Sequence, residues 1–532
     1  MKFAPRTKSA LIAFACLGIW CALHVPAIGL FAHVPFVSAV VGDEPSPLYG
    51  ALAIMRDKSP LGLRNLPQLY YGPLFGALAV PAVLFDAGTQ FVAGNIQDAE
   101  SYRALITRDM SGMLVASRWL AVLAGFFALL GVYRLFQSKR INPEGKTWWI
   151  WLAVFGIALD PFFFKYSHFF RHWIFIVTVL IWNIVFTLRI VEKPEDKKAW
   201  IGLWATSAFG FGISFISLFY QAALFPALWS WIKAKRMAAL KLFFVYAAAL
   251  AGAMALLVAW NPFPYLRLVR MGTQSGTGHT LRIGLPSLLS YASYLWNNYA
   301  LVGALALGLS VLAWAVARDR VRSWWWIVVW PGVAHLAFFV ASETNPPRYL
   351  LPVYILLWIV LVGCLSAVGP WLAKRRLAKP AALLVLLTLT LSGANALRWS
   401  WLASQTQPEE RLIEVLRGTS ASSSVLYVGR LLPAWHGPSS YKNYSEACLD
   451  YESDVFPYMV SLPPLSGVTP IHVEYWCFEG EISDDVRGYA TDIIEPQGES
   501  LESNVYEANW WRHWDTEKWG LRFRAIKGNL SL

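Results

Sequence analysis

The sequence predicts a mainly α-helical, polytopic transmembrane bundle followed by a small C-terminal α/β domain outside the cytoplasm. Three observations predict it. Hydrophobic residues make up 56% of the 532 positions and charged residues only 15%, with a mean hydropathy of +0.44. A soluble chain of this size needs more charge to cover its surface. Apolar runs of about twenty residues, the length that crosses a bilayer, recur through the first three quarters of the chain. Charge, finally, is divided: residues 1–402 carry 35 Lys and Arg against 14 Asp and Glu, whereas residues 403–532 carry 10 against 19. The positive charge sits in short clusters between apolar runs, which points to membrane orientation and away from nucleic-acid binding.

The apolar runs centre near residues 20, 125, 155, 180, 208, 225, 250, 303, 332, 359 and 391, giving about eleven spans. The first, from Leu11 to Phe31, follows Lys2, Arg6 and Lys8. It is long for a signal-peptide core and no small-x-small site closes it, so it is read as a retained span. Basic clusters at Lys139–Lys146, Arg189–Lys198, Lys233–Arg236, Arg318–Arg322 and Lys374–Lys379 fall on the N-terminal side of the membrane when the spans are threaded in order. The positive-inside rule makes that side the cytoplasm. One further run, Gly72 to Phe85, is short and holds Pro73 and Pro81. It is read as a helix dipping into the outer face, which makes residues 32–111 one large outer loop. The membrane domain then covers residues 1–403, and the tail, 404–532, emerges on the outer side. In the tail, Glu409–Arg417 reads as a helix and Ser424–Gly429, Ile471–Trp476 and Gly520–Lys527 as strands. Cys448 and Cys477 would pair as a disulfide in an extracytoplasmic domain. Cys16, Cys21 and Cys364 lie in spans and read as inert packing residues.

Several stretches that can do chemistry fall on the outer side. Asp43 and Glu44 follow the first span; Asp43 can equally cap a helix through Met55. Lys165, His168, Arg171 and His172 lie between the third and fourth spans, among Trp and Tyr residues that also suit an interfacial belt. Arg348, beside Tyr349, stands at the lip of the tenth span. There it either snorkels to headgroups or meets an anion. The outer loop Asn261–Ser290 carries Gly272, Gly276, Gly278 and His279.

Taken together, VVGDEPSPLYGALAI around Asp43-Glu44, LYYGPLFGALAVP after Tyr71, MLVASRWLAVLAG around Arg118 and PPRYLLPVYILLWIV around Arg348 resemble the GT-C superfamily of membrane glycosyltransferases. Within it they resemble the branch of protein O-mannosyltransferases and aminoarabinose transferases. The resemblance implies a polyprenyl-phosphate-linked sugar as donor, a glycan, lipid or protein as acceptor, and an active site on the outer face of a cell membrane, bacterial inner membrane included. It implies Asp43 as general base for an acceptor hydroxyl, with inversion at the anomeric carbon and Glu44 orienting Asp43 or the acceptor. Arg348, Arg171, His172 and Lys165 would hold the donor phosphate. Tyr349, Tyr71 and His279 would complete the substrate site of this hexosyl- or pentosyltransferase. Relatives carry a second Asp at the start of the fourth span, where this sequence has Arg171-His172. A divalent metal would draw on Asp43 and Glu44, with few further ligands evident. Two rivals remain at this point. One is a transporter or flippase for a lipid-linked glycan, against which the rim position of the charges argues. The other is a GT-C-like glycan ligase using a lipid-diphosphate donor.

Overall fold

A computed structural model of the chain describes residues 5–30, 32, 44–64, 71–108, 110–266, 285–340, 347–404 and four strands of the tail. Eight helical stretches among these are long and apolar enough to cross a membrane: 73–92, 111–136, 172–192, 215–233, 237–260, 299–316, 348–374 and 378–401. Three shorter apolar helices lie at 15–27, 147–158 and 325–340. The protein is an integral, multi-pass membrane protein.

The elements are α1 (Pro5–His24), α2 (Pro45–Asp57), α3 (Pro73–Val92), α4 (Ala99–Arg108), α5 (Ser111–Phe136), α6 (Thr147–Ala158), α7 (Pro161–Tyr166), α8 (His172–Glu192) and α9 (Lys197–Ile213). A 3-10 stretch, Phe215–Leu224, runs into α10 (Phe225–Lys233). Then follow α11 (Met237–Trp260), α12 (Leu285–Val316), α13 (Arg318–Arg322), α14 (Trp325–Val340), α15 (Leu351–Lys374) and α16 (Ala378–Ala403). The 348–374 span forms the centre, 94% of its most apolar window being buried. The 237–260 and 378–401 spans, at 17% and 22%, leave apolar faces outward. Such faces suit lipid, which accepts apolar side chains as readily as a core does.

Polar contacts define the two ends of the bundle. At one end the Ser138 hydroxyl donates to Glu192 (2.7 Å), Arg140 reaches both Glu192 (3.6 Å) and the Ser323 carbonyl (3.4 Å), and Arg189 pairs with Asp196 (3.6 Å). Three of the basic clusters therefore gather at one end. The reversals at Lys235 and Arg376, inside two further clusters, use left-handed backbone (φ 51° and 58°) to turn tightly between helices.

The opposite end gathers several of the polar residues singled out in the sequence. Helix α3 lies along it. Gly72 donates its N–H to the Ile213 carbonyl at the end of α9 (2.8 Å), so close that an added Cβ would stand 2.2 Å from the Gly212 oxygen. Fourteen residues on, Asp86 accepts from the Tyr102 hydroxyl (2.9 Å) and abuts Gly112, at the start of α5. The end of α9 and the start of α5 both face away from the basic loops, so both contacts of α3 stay on one side. The helix is longer than the sequence suggested, continuing past Phe85 to Val92. Pro73 is no breaker, because it sits in the first turn where its missing N–H costs nothing.

In the tail, β1 (Ser424–Val428) pairs in parallel with β2 (His472–Trp476) and with β3 (Asp492–Gln497), and β3 pairs antiparallel with β4 (Arg522–Lys527), in the order β2-β1-β3-β4. Three of these strands fall where the sequence placed strands. The segment β3 was not expected, because Pro496 interrupts its alternation. Glu409–Arg417, Cys448 and Cys477 lie outside the described residues.

Candidate active site at the rim opposite the basic clusters

The rim is assembled around one buried ion pair. Arg118, on α5, bonds Glu44 through Nη2 (2.6 Å) and Nε (3.1 Å), both side chains being fully buried. Its Nη1 donates to the Ile28 and Leu30 carbonyls (2.8 and 2.6 Å), just beyond α1. Glu44 also accepts from the Phe170 backbone N–H, and the Arg118 guanidinium lies 5.5 Å from the Phe169 ring centre. A planar, permanently charged fork is the side chain suited to such multiple fixed bonds. This knot joins the chain after α1, the start of α2, α5 and the 167–171 loop. Beside it His24 and His168 share a hydrogen bond (3.0 Å), and His168 also bonds the Phe164 carbonyl (2.9 Å). Burial, with the Arg118 charge adding repulsion, pulls the His168 imidazole down to about 3, so it is neutral.

One residue past Phe170, the chain enters α8 with Arg171 at its N-cap and His172 in its first turn. Arg171 is 1% exposed and His172 5%. Tyr71, just ahead of α3, lies against the His172 ring at 4.3 Å between centres, and the Trp173 ring is also 4.3 Å from it. Trp173 in turn meets Tyr349 at 5.1 Å. The Tyr349 carbonyl accepts from His335 Nε2 (2.6 Å), which fixes the turn carrying Arg348. The permanent charges acting on His172 are those of Arg171 and Arg348.

Of the residues singled out in the sequence, the structure therefore brings together Glu44, Arg171, His172, Arg348, Tyr349 and Tyr71. Lys165 belongs to the neighbouring turn α7, buried, with its ammonium 5.3 Å from the Tyr166 ring centre. Asp43 and His279 lie outside the described residues. Among the described residues no group of three or more His, Cys, Asp and Glu is placed to hold a metal ion.

Sequence reasoning missed Asp160. This buried carboxylate caps α7 by accepting from the Phe162 and Phe163 N–H groups (3.1 and 3.0 Å). It also accepts from the Tyr299 hydroxyl (2.5 Å) and Trp358 Nε1 (3.1 Å). Burial pushes it up to about 6 against the pull of those four donors. Tyr299 is the one non-helical residue inside α12, so Asp160 holds that kink to α7 and α15. An Asp-Pro pair closing an apolar run is a helix-start signal and was available in the sequence. His335 and Tyr291 gave no such signal, being single polar groups in apolar runs.

No family model and no curated protein matches the chain. Among solved structures, it is similar to ArnT from Cupriavidus metallidurans bound to undecaprenyl phosphate, at 12% identity and TM-score 0.49, covering 81% of this chain and 84% of that one. The apo state of the same protein gives 12% identity and TM-score 0.45 over 81% and 85%. An oligosaccharyltransferase from Archaeoglobus fulgidus in the apo form gives 11% identity and TM-score 0.41 over 79% and 63%. At these identities and scores no residue role passes from those proteins to this chain.

Proposed function

We propose that the protein is a membrane glycosyltransferase. It moves a sugar from a polyprenyl-phosphate donor to an acceptor hydroxyl on the extracytoplasmic face of a cell membrane. One observation carries the reading: the charges of Arg171, at the start of α8, and Arg348, in the turn before α15, both act on His172, and the Phe170 N–H that anchors Glu44 is one residue before Arg171.

Two guanidinium groups beside the first turn of a long helix suit a phosphate, through charge-assisted hydrogen bonds and the N-terminal end of the helix dipole. A lipid phosphate is already a good leaving group, so a single base suffices, unlike the paired carboxylates of glycoside hydrolysis. In this reading Asp43 takes the proton of the acceptor hydroxyl. The oxygen attacks the anomeric carbon opposite the phosphate and inverts it, and Arg348 and Arg171 stabilise the charge released on the leaving phosphate. Glu44, spent on Arg118 and Phe170, positions its neighbour Asp43 rather than touching substrate. Lys165 contributes positive potential from behind, and Tyr71, Tyr349 and His279 complete the substrate site. A divalent cation is not required by this scheme, and the C-terminal domain, residues 404–532, would face the acceptor.

The test is sugar transfer by the purified protein from a radiolabelled polyprenyl-phosphate hexose or pentose. Asp43→Asn lowers turnover by at least about a hundredfold, the lower end of a general base's contribution. Turnover near that of the unaltered protein would remove Asp43 from the role.

A further inference from the structure

The rim beside Arg348 gathers several buried polar atoms from different helices. His172 Nδ1, Trp173 Nε1, Tyr291 Oη and His335 Nδ1 are all buried and have no hydrogen-bond partner among the described residues. The four residues are between 0% and 5% exposed. They come from three different helices, α8, α12 and α14, and converge on Arg348-Tyr349. His172 and Trp173 adjoin, Trp173 meets Tyr349, and His335 is bonded to the Tyr349 carbonyl. Tyr291 lies within electrostatic range of both Tyr349 and Arg348. Buried polar groups are nearly always paired, so four orphans in one place point to a missing partner.

The chemistry of the orphans describes that partner. Trp173 Nε1–H can only donate. His335 must carry its proton on Nε2 to bond a carbonyl, so the neutral ring offers Nδ1 as an acceptor. The Tyr291 hydroxyl does both. A ligand that donates and accepts at several neighbouring points, and has an apolar face for the Tyr71, Trp173 and Tyr349 rings, is a polyhydroxylated ring. An ammonium group fits badly, because it only donates. The permanent charges acting here are those of Arg171 and Arg348, and among the described residues no carboxylate acts on His172 or Tyr291.

We infer that these four atoms form the sugar subsite of the donor, and that it takes a neutral sugar in preference to a cationic amino sugar. The inference rests on the glycosyltransferase reading above and narrows its substrate class.

The experiment measures binding to the full-length purified protein in detergent by calorimetry. The probes are a polyprenyl phosphate, the same lipid phosphate bearing glucose or mannose, and the corresponding 2-amino sugars with free amines. The better neutral sugar is expected to bind about tenfold more tightly than the bare lipid phosphate, and its amino analogue about tenfold more weakly than the neutral sugar. Tyr291→Phe removes about three- to tenfold of the sugar's gain and leaves the bare lipid phosphate unchanged. Should Tyr291→Phe fail to fold, the probe comparison on the unaltered protein decides alone. Equal binding of sugar-bearing and bare lipid phosphate, or tighter binding of the amino sugars, overturns the sugar subsite while leaving the phosphate site intact. Failure of every lipid phosphate to bind overturns the glycosyltransferase reading and this inference with it.

Discussion

Two buried polar regions lie side by side at the rim, and they are finished differently. In the Arg118–Glu44 knot each guanidinium nitrogen has a partner in the chain, and both carboxylate oxygens are used. Around Arg348, four buried atoms on His172, Trp173, Tyr291 and His335 have none among the described residues. Burial is equal, so burial does not distinguish a structural polar cluster from a working one. Completion does. A closed network holds the chain in place, whereas an unfinished one keeps hydrogen-bonding capacity in reserve for something that is not the protein.

Substitutions can break this contrast. The largest expected effect is on the finished side. Arg118→Met strands the Glu44 charge and two carbonyls, and breaking a buried pair costs about 3–5 kcal/mol. The measurement is the melting temperature and monodispersity of the purified protein, both of which fall. Arg348→Ala should do the reverse, melting close to the unaltered protein while sugar transfer drops by about a hundredfold or more, as for loss of one charge-stabilising donor. A variant at Arg348 that unfolds the protein would place it on the finished side after all.

Gly72→Ala acts between the two regions. The new methyl would stand 2.2 Å from the Gly212 carbonyl oxygen, so α3 must move away from α9, taking Tyr71 from His172. The expected cost is about 1–3 kcal/mol in stability, typical of overpacking, with a partial loss of transfer. The smallest effect is a pH dependence. The Asp160 carboxyl stands at about 6 in the folded protein against an ordinary value of 3.8, so the folded state holds its proton more tightly. That contribution is fully present below pH 3.8 and is lost as pH rises to about 6, a slope of about 1 kcal/mol per pH unit at most. Asp160→Asn should flatten this part of a melting-temperature profile; an unchanged slope would assign it to another group.

Much of the helical plan was legible in the sequence because it rests on composition. Apolar runs and basic clusters are local signals, and the clusters at Arg140, Arg189 and Arg320 do gather at one end. The length of α3 was not legible, since Pro73 and Pro81 read as interruptions, whereas one opens the helix and the other is carried inside it. The meeting of the 171 and 348 stretches was anticipated from their common side of the membrane. The knot was not. Arg118 and Glu44 are single charges 74 residues apart, and nothing local tells either that its partner is the other. The same distance problem hid Asp160, whose donors come from Phe162, Tyr299 and Trp358. Long-range pairing is what a single sequence leaves out, and both the finished and unfinished clusters are made of it.

The most direct measurement of the central claim is a density map of the protein with bound polyprenyl phosphate. The phosphate is expected within about 4 Å of the Arg348 guanidinium, with Arg171 the next nearest charge and the lipid chain leaving along α3. Phosphate density at any other place on the protein, with the Arg348–Arg171 neighbourhood unoccupied, would contradict it.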